Sequence, residues 1–465
     1  MTIAVSVRES LGSRRAIDPL LLLGSIIVIA VALTWVVPAG QYERSPDTQN
    51  GRILVVPGSY QRVPTHPVGL GGLLLAIPQG LIESAPIVFF VLLGGAALTV
   101  VEITGAIGAI LDSLAKYFVQ RPLLILPLVS LLFLFGGASY AMGEEIVAFI
   151  PLLCALMRRL KMPSTMAVAV SLGSASVASA FSPFNTYILG IAHPMVGLPL
   201  FSGFAFRCVV FAVAVPTWLG YLMWQAHRTR ITQPVVGQNI AEIVTSGDSA
   251  KTSGRHYLVL AILNGGLGMM VVGAMIWSWD LTQFCAVLIA IAVLAGLAGG
   301  LKLRGTSEAF AEGLRQVALA AVLVGVARAI SVILKQGMIL DTITEMLFRP
   351  LHHMPRAAGG VMMLVSQSLL SFPIPSASGK AMLSLPILAP LADLLHISRQ
   401  VAVLSYQYGI LVGDLMTPTY GALLAMLTIA QVPFTKWLRF MLPIYLILLV
   451  ISASAVVVAV RIGLN

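Results

Sequence analysis

Charged residues are scarce in this sequence. Asp, Glu, Lys and Arg together make up 10% of its 465 residues, whereas hydrophobic residues make up 58%, and the mean hydropathy is +0.95. A water-soluble fold of this length carries far more charge on its surface. Runs of about 20 apolar residues recur along the whole chain, which is typical of a polytopic α-helical membrane protein rather than a β-barrel or a soluble core.

Cysteine and the usual enzyme motifs are also lacking. The three cysteines, Cys154, Cys208 and Cys285, all lie in apolar segments, and their spacing excludes a disulfide framework or a zinc site. The glycines of 265–268 lie inside an apolar run, without the strand, turn and helix that a nucleotide site needs. Neither H-E-x-x-H nor G-x-S-x-G occurs. We therefore predict no enzyme activity, no catalytic residues, no metal and no resident cofactor.

The net charge of +10 indicates membrane topology rather than nucleic-acid binding, because no basic stripe is interleaved with aromatic residues. Lys and Arg collect in the connections between apolar runs, as the positive-inside rule predicts for cytoplasmic loops. The basic N-terminus then stays inside, and the first span, 20–37, brings the polar segment 40–66 outside. These features predict a multi-pass membrane protein.

Two prolines interrupt apolar runs that are long enough to cross a membrane. Pro183 lies in a Ser-Pro-Phe-Asn-Thr segment, and Pro418, 235 residues later, lies in a Thr-Pro-Thr-Tyr-Gly segment. Pro151 and Pro386 are separated by the same interval, which indicates a duplicated half. Since proline removes a backbone donor and breaks the helix, each interruption exposes backbone groups that a ligand, an ion or a protein-lined cavity must satisfy.

The predicted fold is all-α, with two repeats that each contain a re-entrant helical hairpin and a broken transmembrane helix. The first repeat, 1–224, holds a first span, the span 86–104, an interfacial arm helix at 105–118, a hairpin at 122–160, a broken helix at 165–193 and a span at 200–224. A cytoplasmic linker, 225–256, joins it to the second repeat, 257–465, which holds a second arm at 337–348, a hairpin at 357–395, a broken helix at 397–430 and a last span at 438–460. With the N-terminus inside, counting the predicted spans makes the chain cross the membrane inward through 86–104 and outward through 317–334. The two repeats are therefore predicted to be inverted.

Paired broken helices in two repeats point to a transporter's binding site. The predicted substrate shell consists of hydroxyl and amide side chains near the hairpin tips and breaks: Ser139, Ser182, Asn185, Thr186, Ser376, Ser378, Thr417 and Thr419. We expect those that flank a proline break, such as Asn185 and Thr417, to face the cavity. The alternative is ordinary hydrogen bonding between packed membrane helices.

Four ionisable residues at membrane depth are stronger signals, because such groups are rare there and usually line a cavity or a proton path. They are Glu144, Glu145, Lys380 and Asp414. Glu145 and Lys380 occupy matching positions in the two halves, so a structural ion pair that clamps the hairpins is the alternative. Arg328, inside the span 317–334, either meets the substrate, extends its charged end to the membrane surface, or pairs with another helix.

With these residues in view, the chain resembles the YfcC-type carriers, which are related to the anaerobic C4-dicarboxylate (DcuC-like) carriers of the ion-transporter superfamily. The motifs that carry the resemblance lie after the first span, at the two hairpin tips and in the second half: 37–43, 142–145, 375–379, 386–393 and 399–404. The resemblance implies an elevator-type secondary transporter. It also implies an anionic or amino-acid substrate that is often carried with sodium or protons.

Two positions depart from the family pattern. The second tip has Lys380 after Gly379, where the resembling carriers have glutamine. Ile410 follows Gly409, where they have an acidic residue, and Asp414 comes later. Both changes fall where a cation would be held, so the resemblance alone does not predict sodium coupling for this chain. We expect the fixed ammonium of Lys380 to contribute to substrate binding instead.

We therefore predict secondary active transport of a small carboxylate or amino acid by elevator-type alternating access. Two alternatives stay open, a basic amino-acid antiporter and a cation/proton antiporter without an organic substrate, which would use Glu144, Glu145 and Asp414 for charge coupling. Sodium and protons are both open as the coupling ion. The expected partners are the substrate and the lipid bilayer, with no nucleic acid, and a homodimer is left open.

Overall fold

The structure, a computed structural model, describes residues 19–46, 53–107, 124–232, 254–277 and 279–464. In the first half the helices are α1 Pro19–Val36, α2 Leu70–Glu83, α3 Ala85–Ile103, α4 Ile125–Tyr140, α5 Ile150–Arg159, α6 Thr165–Phe181, α7 Ile188–Met195 and α8 Phe204–Thr232. In the second half they are α9 Gly254–Ile276, α10 Leu281–Ala298, α11 Lys302–Gln336, α12 Leu340–Phe348, α13 Arg356–Leu370, α14 Ala377–Leu394, α15 Arg399–Met416, α16 Gly421–Ile429 and α17 Phe434–Ile462.

Seven stretches of the described chain are long and apolar enough to cross a membrane, so the prediction of a polytopic helical membrane protein is confirmed. They are α1, α3, most of α8, α10, α11, the α15–α16 stretch Arg399–Ile429, and α17. The 35-residue helix α11 packs against α1, α2, α3 and α16. It therefore connects helices of the first half with the interrupted helix of the second half.

Four short strands lie between α1 and α2, in the segment predicted to be outside the membrane. Gly40–Gln41 pairs with Gln61–Arg62, and Arg44–Pro46 pairs with Ile53–Val55, both antiparallel. The segment is fixed to α12 by Asp341, whose carboxylate accepts hydrogen bonds from the Tyr42 amide at 3.0 Å and from Arg44 Nη2 at 2.9 Å.

The Tyr42 hydroxyl also takes part in this attachment and donates a 2.8 Å hydrogen bond to Glu345. Burial and the Glu345 carboxylate raise the pKa of Tyr42 above its ordinary value. The hydroxyl therefore stays protonated and remains a donor to Glu345. We call these contacts of Tyr42 and Arg44 with Asp341 and Glu345 the outer latch.

Each half contains a helical hairpin followed by an interrupted helix. In the first half α4 and α5 flank a turn and a 3₁₀ segment, Glu144–Phe149, and residues 182–187 separate α6 from α7. In the second half α13 and α14 flank the turn at 371–376, and residues 417–420 separate α15 from α16. Both breaks contain the prolines noted above, which cannot donate the helical hydrogen bond.

The hairpin and the interrupted helix pack in the same way in both halves. Helix α4 lies along α6, where a Cβ on Gly137 would fall 2.1 Å from the Ala175 carbonyl oxygen. Helix α13 lies along α15, where a Cβ on Gly409 would fall 2.7 Å from Cβ of Gln367. Glycine is required at both positions because the backbones approach so closely.

Two sequence-based boundaries differ from the structure or cannot be compared with it. Helix α8 continues to Thr232, so the first residues of the predicted linker 225–256 are helical. In this extension the Arg228 guanidinium lies over the Trp224 ring, 5.4 Å from its centroid. Most of the linker and most of the arm predicted at 105–118 lie outside the described residues. The second arm, predicted at 337–348, corresponds to α12.

Candidate functional site

The first break is joined to the tip of the first hairpin by its own polar side chains. Three of them donate hydrogen bonds to consecutive carbonyls at the end of α4: Ser182 to Ala138 at 2.6 Å, Asn185 to Gly137 at 2.8 Å, and Thr186 to Ser139 at 2.9 Å. Carbonyls at the end of a helix have no partner within that helix. These side chains therefore satisfy the backbone of the tip.

The second break makes an equivalent contact. Thr419 Oγ1 donates to the Phe372 carbonyl at 2.9 Å, across the tip of the second hairpin. Thr417 Oγ1 instead donates to the Gly413 carbonyl within α15, at 2.6 Å. At the start of α14, Ser376 caps the helix by accepting from the Gly379 amide, and its hydroxyl lies 3.2 Å from that of Ser378.

A cavity of about 830 Å³ lies between the two hairpin tips, the two breaks and the helices α3, α10 and α11. Half of the twelve predicted site residues line it: Glu144, Glu145, Thr186, Ser376, Asp414 and Thr419. The other half do not: Ser139, Ser182, Asn185, Ser378, Lys380 and Thr417. Asn185 and Thr417 are fully buried. Asn185 is hydrogen-bonded to the end of α4, and Thr417 to a carbonyl of its own helix. The volume suits a small molecule accompanied by water.

The wall of the cavity carries far more acid than base. Five carboxylates line it: Glu83, Glu144, Glu145, Asp280 and Asp414. Among the residues that line this cavity, Arg328 is the one Lys or Arg. The cavity therefore favours ligands that carry positive charge, and it offers one place where a carboxylate is attracted.

Glu144, Glu145 and Asp414 form an acidic group that bridges the two halves. Glu145 Oε2 accepts a 3.0 Å hydrogen bond from the Gly143 amide at the first tip. The Asp414 carboxylate interacts electrostatically with Glu144 and with Lys380. In the described part of the chain, no three His, Cys, Asp or Glu side chains are arranged to hold a metal ion. The three carboxylates give this part of the cavity wall negative charge when they are ionised.

Lys380 is buried immediately behind the cavity wall, with 2% of its surface exposed. Its Nζ donates a 2.7 Å hydrogen bond to Ser371 Oγ and lies 5.9 Å from the centre of the Tyr406 ring. Among the described residues no ion pair joins it to Glu144 or Glu145. Its anionic neighbour is Asp414, with which it interacts electrostatically.

Arg328 lines the cavity and pairs with an acid that the sequence did not indicate. Its Nε donates a 3.0 Å hydrogen bond to Glu83 Oε2, at the end of α2. The same oxygen lies 3.6 Å from Nζ of Lys335, two turns further along α11. Glu83 and Arg328 are 245 residues apart, so no local pattern connects them.

Arg207 is buried, like Lys380, and it is not among the predicted site residues. Its position inside the span predicted at 200–224 was the signal that could have identified it, because a charged residue is rare at that depth. Its side chain is 1% exposed. It donates to the side-chain oxygens of Gln400 and Gln407 and to the Ser202 carbonyl. His193 completes this polar group, with Nε2 lying 3.3 Å from Gln400 Oε1.

This buried group reaches the first break through Gln407. The Gln407 side-chain amide donates to the carbonyls of Ser179 and Ser182, at 3.0 and 2.9 Å. These carbonyls end α6, where the helix dipole is negative. Arg207, on α8, is therefore linked to the end of the broken helix by a hydrogen-bond chain through Gln407, which belongs to the second half.

Aromatic residues on the cavity wall were also missed. Tyr140, Tyr187, Trp279, Phe284 and Tyr420 all line it. Tyr420 interacts electrostatically with Glu144, Glu145 and Asp414. Aromatic faces next to carboxylates form a favourable surface for an organic cation. Taken singly, each aromatic residue in so apolar a sequence gives no signal of a site.

Comparison with known proteins gives a family match over nearly the whole chain. The model of the C4-dicarboxylate anaerobic carrier family, DcuC, matches residues 18–461. An uncharacterised protein of Haemophilus influenzae (strain Rd) is 28% identical over 94% of this chain and 96% of its own length. YfcC of Escherichia coli (strain K12), whose name provisionally assigns it as a basic amino acid antiporter, is 27% identical over 98% of this chain and 99% of its own length.

Two solved structures of transporters are similar at low sequence identity. The YdaH transporter of Alcanivorax borkumensis aligns with a TM-score of 0.42 at 17% identity, covering 96% of this chain and 99% of that one. MtrF of Neisseria gonorrhoeae, described as one of a class of antimetabolite efflux pumps, aligns with a TM-score of 0.43 at 17% identity, covering 98% and 97%.

Proposed function

Because this chain belongs to the C4-dicarboxylate anaerobic carrier (DcuC) family, we propose that it is a secondary active transporter of a small carboxylate or amino acid. The family is one of carriers rather than enzymes, and the apolar helices make the chain a multi-pass protein of the bacterial inner membrane. The observation that carries the proposal is the cavity between the two hairpin tips, whose wall holds both signs of charge.

The arrangement of charge favours an amino acid over a simple dicarboxylate. A dicarboxylate would meet five carboxylates and one guanidinium, and close like charges repel each other. An α-amino acid presents one carboxylate and at least one ammonium group. Its ammonium would be attracted to Glu144 and Asp414, and its carboxylate to Arg328.

Basic amino-acid antiport is the second candidate, and the same excess of acid supports it. Arginine or lysine carries a further cation on its side chain, which the remaining carboxylates and the aromatic wall would attract. The printed name of the E. coli relative points in the same direction. The two candidates differ in whether a second charged amino acid must leave as the first enters.

We propose that transport proceeds by an elevator-type exchange between two inverted repeats, 1–224 and 257–465, each with its re-entrant hairpin and broken helix. The matching packing of α4 on α6 and of α13 on α15 supports the repeats. The equivalent hydrogen bonds of Thr186 and Thr419 support them too. A site built where both repeats meet can face either side of the membrane in turn.

The coupling ion is part of the same proposal. Lys380 lies next to Asp414, where a mobile cation would otherwise balance the carboxylate. We infer that its fixed ammonium replaces that cation and makes transport proton-linked or uncoupled rather than sodium-driven. The predicted site residues keep two roles: the hydroxyls near the tips orient the substrate or support the tips, and the acidic group carries the coupled charge.

Counterflow in proteoliposomes tests the proposal. Vesicles that contain the purified protein are loaded with arginine, lysine, aspartate or succinate and then exposed to the same labelled compound, with sodium or choline as the salt. We expect sodium-independent accumulation of at least one amino acid. Accumulation of none of the four compounds, together with exchange of sodium or potassium for protons, would instead favour the cation/proton antiporter.

A further inference from the structure

The guanidinium of Arg328 is only partly engaged inside the protein. Its Nε is bound to Glu83, whereas its two Nη atoms make no hydrogen bond to any residue that the structure describes. A guanidinium has five N–H donors in a planar fork, so four of them are free. The side chain is 29% exposed and lines the cavity. It is therefore held in place by one contact and has donors free to bind an anion.

Glu83 has a second cation nearby besides Arg328. Nζ of Lys335 lies 3.6 Å from the same carboxylate oxygen that Arg328 contacts. If Arg328 turns toward a ligand, Glu83 keeps a cation nearby. Breaking a charge pair is costly mainly when one partner is left unpaired. Lys335 removes that obstacle, so Arg328 can exchange partners at low cost.

We infer that Arg328 binds the carboxylate of the transported molecule, that Glu83 is the internal counter-ion which this carboxylate replaces, and that Lys335 retains Glu83 during the exchange. The inference rests on the proposed function and narrows its substrate to molecules that carry both a carboxylate and a cation. The carboxylate would lie against helix α11, and the cation would lie at the tips with Glu144 and Asp414. Arg328 is then the residue that makes the protein bind an amino acid more tightly than the corresponding amine, which lacks the carboxylate.

Paired ligands that differ by the carboxylate alone give the sharpest test. Agmatine is arginine without its carboxylate, and cadaverine is lysine without its carboxylate. Affinities of the purified protein for each pair are measured by titration calorimetry, at matched salt concentration. We expect the amino acid of the preferred pair to bind at least tenfold more tightly than its amine. In Arg328→Gln that difference should shrink to within twofold.

The neighbouring variants should change affinity in opposite directions. Glu83→Gln removes the internal competitor, so amino-acid affinity should rise severalfold. Lys335→Gln leaves Glu83 dependent on Arg328, so affinity should fall severalfold. Arg328→Gln combined with Glu83→Gln should bind like Arg328→Gln alone. A merely structural ion pair would lower affinity in all three single variants, and that result would overturn the inference.

Two control variants show whether an effect is specific to the Arg328 guanidinium and independent of a loss of folding. Arg315→Gln removes an arginine from the same helix whose partner, Glu312 at 2.9 Å, is also exposed, and it should bind like the parent protein. Arg328→Lys keeps a cation for Glu83 and so preserves folding, but it loses the fork that grips a carboxylate at two points. It should still lose at least fivefold in amino-acid affinity, even if Arg328→Gln proves too unstable to purify.

The possible failures are distinguishable. If the parent protein binds amino acids and their amines equally well, Arg328 does not read the carboxylate and the inference is overturned, while the proposed transport function stands. If it binds none of the amino acids, amines or carboxylates tested, the proposed function fails first.

Discussion

The Thr186 hydroxyl donates a 2.9 Å hydrogen bond to the Ser139 carbonyl, 47 residues earlier in the chain. In the second half, Thr419 makes the same bond to Phe372, also at 2.9 Å and also over 47 residues. Each bond ties an interrupted helix to the tip of its own hairpin. The two bonds are 233 residues apart, close to the 235 that separate the paired prolines.

The two threonines should differ in how much stability they provide. The Ser139 carbonyl also accepts the Thr186 backbone amide at 2.8 Å, whereas no such second bond reaches Phe372 from the break of its half. Thr186→Val should therefore lower stability by a few tenths of a kcal/mol, and Thr419→Val by about 1 kcal/mol. Thermal unfolding of the two variants shows which of them loses more stability. A larger loss in Thr186→Val would contradict it.

Asp341 should be a major contributor to the outer latch. Its carboxylate is 4% exposed and accepts from the Tyr42 amide and from Arg44. Asp341→Ala leaves the buried Tyr42 amide without its partner, which costs about 1–3 kcal/mol. Glu308→Gln, which removes an exposed pair with Arg304, should cost less than about 0.5 kcal/mol. Equal melting temperatures for the two variants would mean that the latch adds no stability.

Lys380→Gln tests whether a fixed ammonium takes the place of a coupling cation. The variant restores the residue that the resembling carriers have and leaves Asp414 without its basic neighbour. We expect sodium chloride, but not choline chloride, to raise its melting temperature, because a cation that binds the folded state stabilises it. The parent protein and the exposed control Lys302→Gln should respond equally to the two salts. Sodium-specific stabilisation of the parent would overturn the proposal.

The inverted arrangement is testable by labelling from one side of the membrane. Single cysteines are placed at Arg158 and at the exposed Met346 in a chain whose own three cysteines are replaced. A membrane-impermeant maleimide added to intact spheroplasts should label position 346 and not position 158. Labelling of both positions from outside would rule out the predicted topology.

The interruptions of the helices were predictable from the sequence because proline has a local effect. Pro183 and Pro418 mark the two breaks, and glycine-rich or serine-rich turns mark the hairpin tips, so the residues near the cavity could be located to within a few positions. The charged members Glu144, Glu145 and Asp414 stood out because an acid is rare in an apolar run. All three line the cavity.

The partners of these residues could not be predicted in the same way. Sequence position does not reveal whether a serine at a break faces the cavity or a neighbouring carbonyl, and Ser182 and Asn185 contact carbonyls of α4. Glu83 and Arg328 meet only because α2 packs along α11. The position of Lys380 after a hairpin tip predicts a place on the cavity wall, but helix α14 turns its side chain toward Ser371.

Exchange of labelled amino acid by variants of the acidic group tests most directly whether the cavity between the tips is the transport site. Glu144→Gln and Asp414→Asn keep the size of each side chain and remove its charge, and Arg315→Gln serves as the control. In proteoliposomes of equal protein content, we predict that both acidic variants lose at least tenfold in initial exchange rate, while Arg315→Gln exchanges like the parent protein. Exchange at the parent rate in both acidic variants would contradict the account.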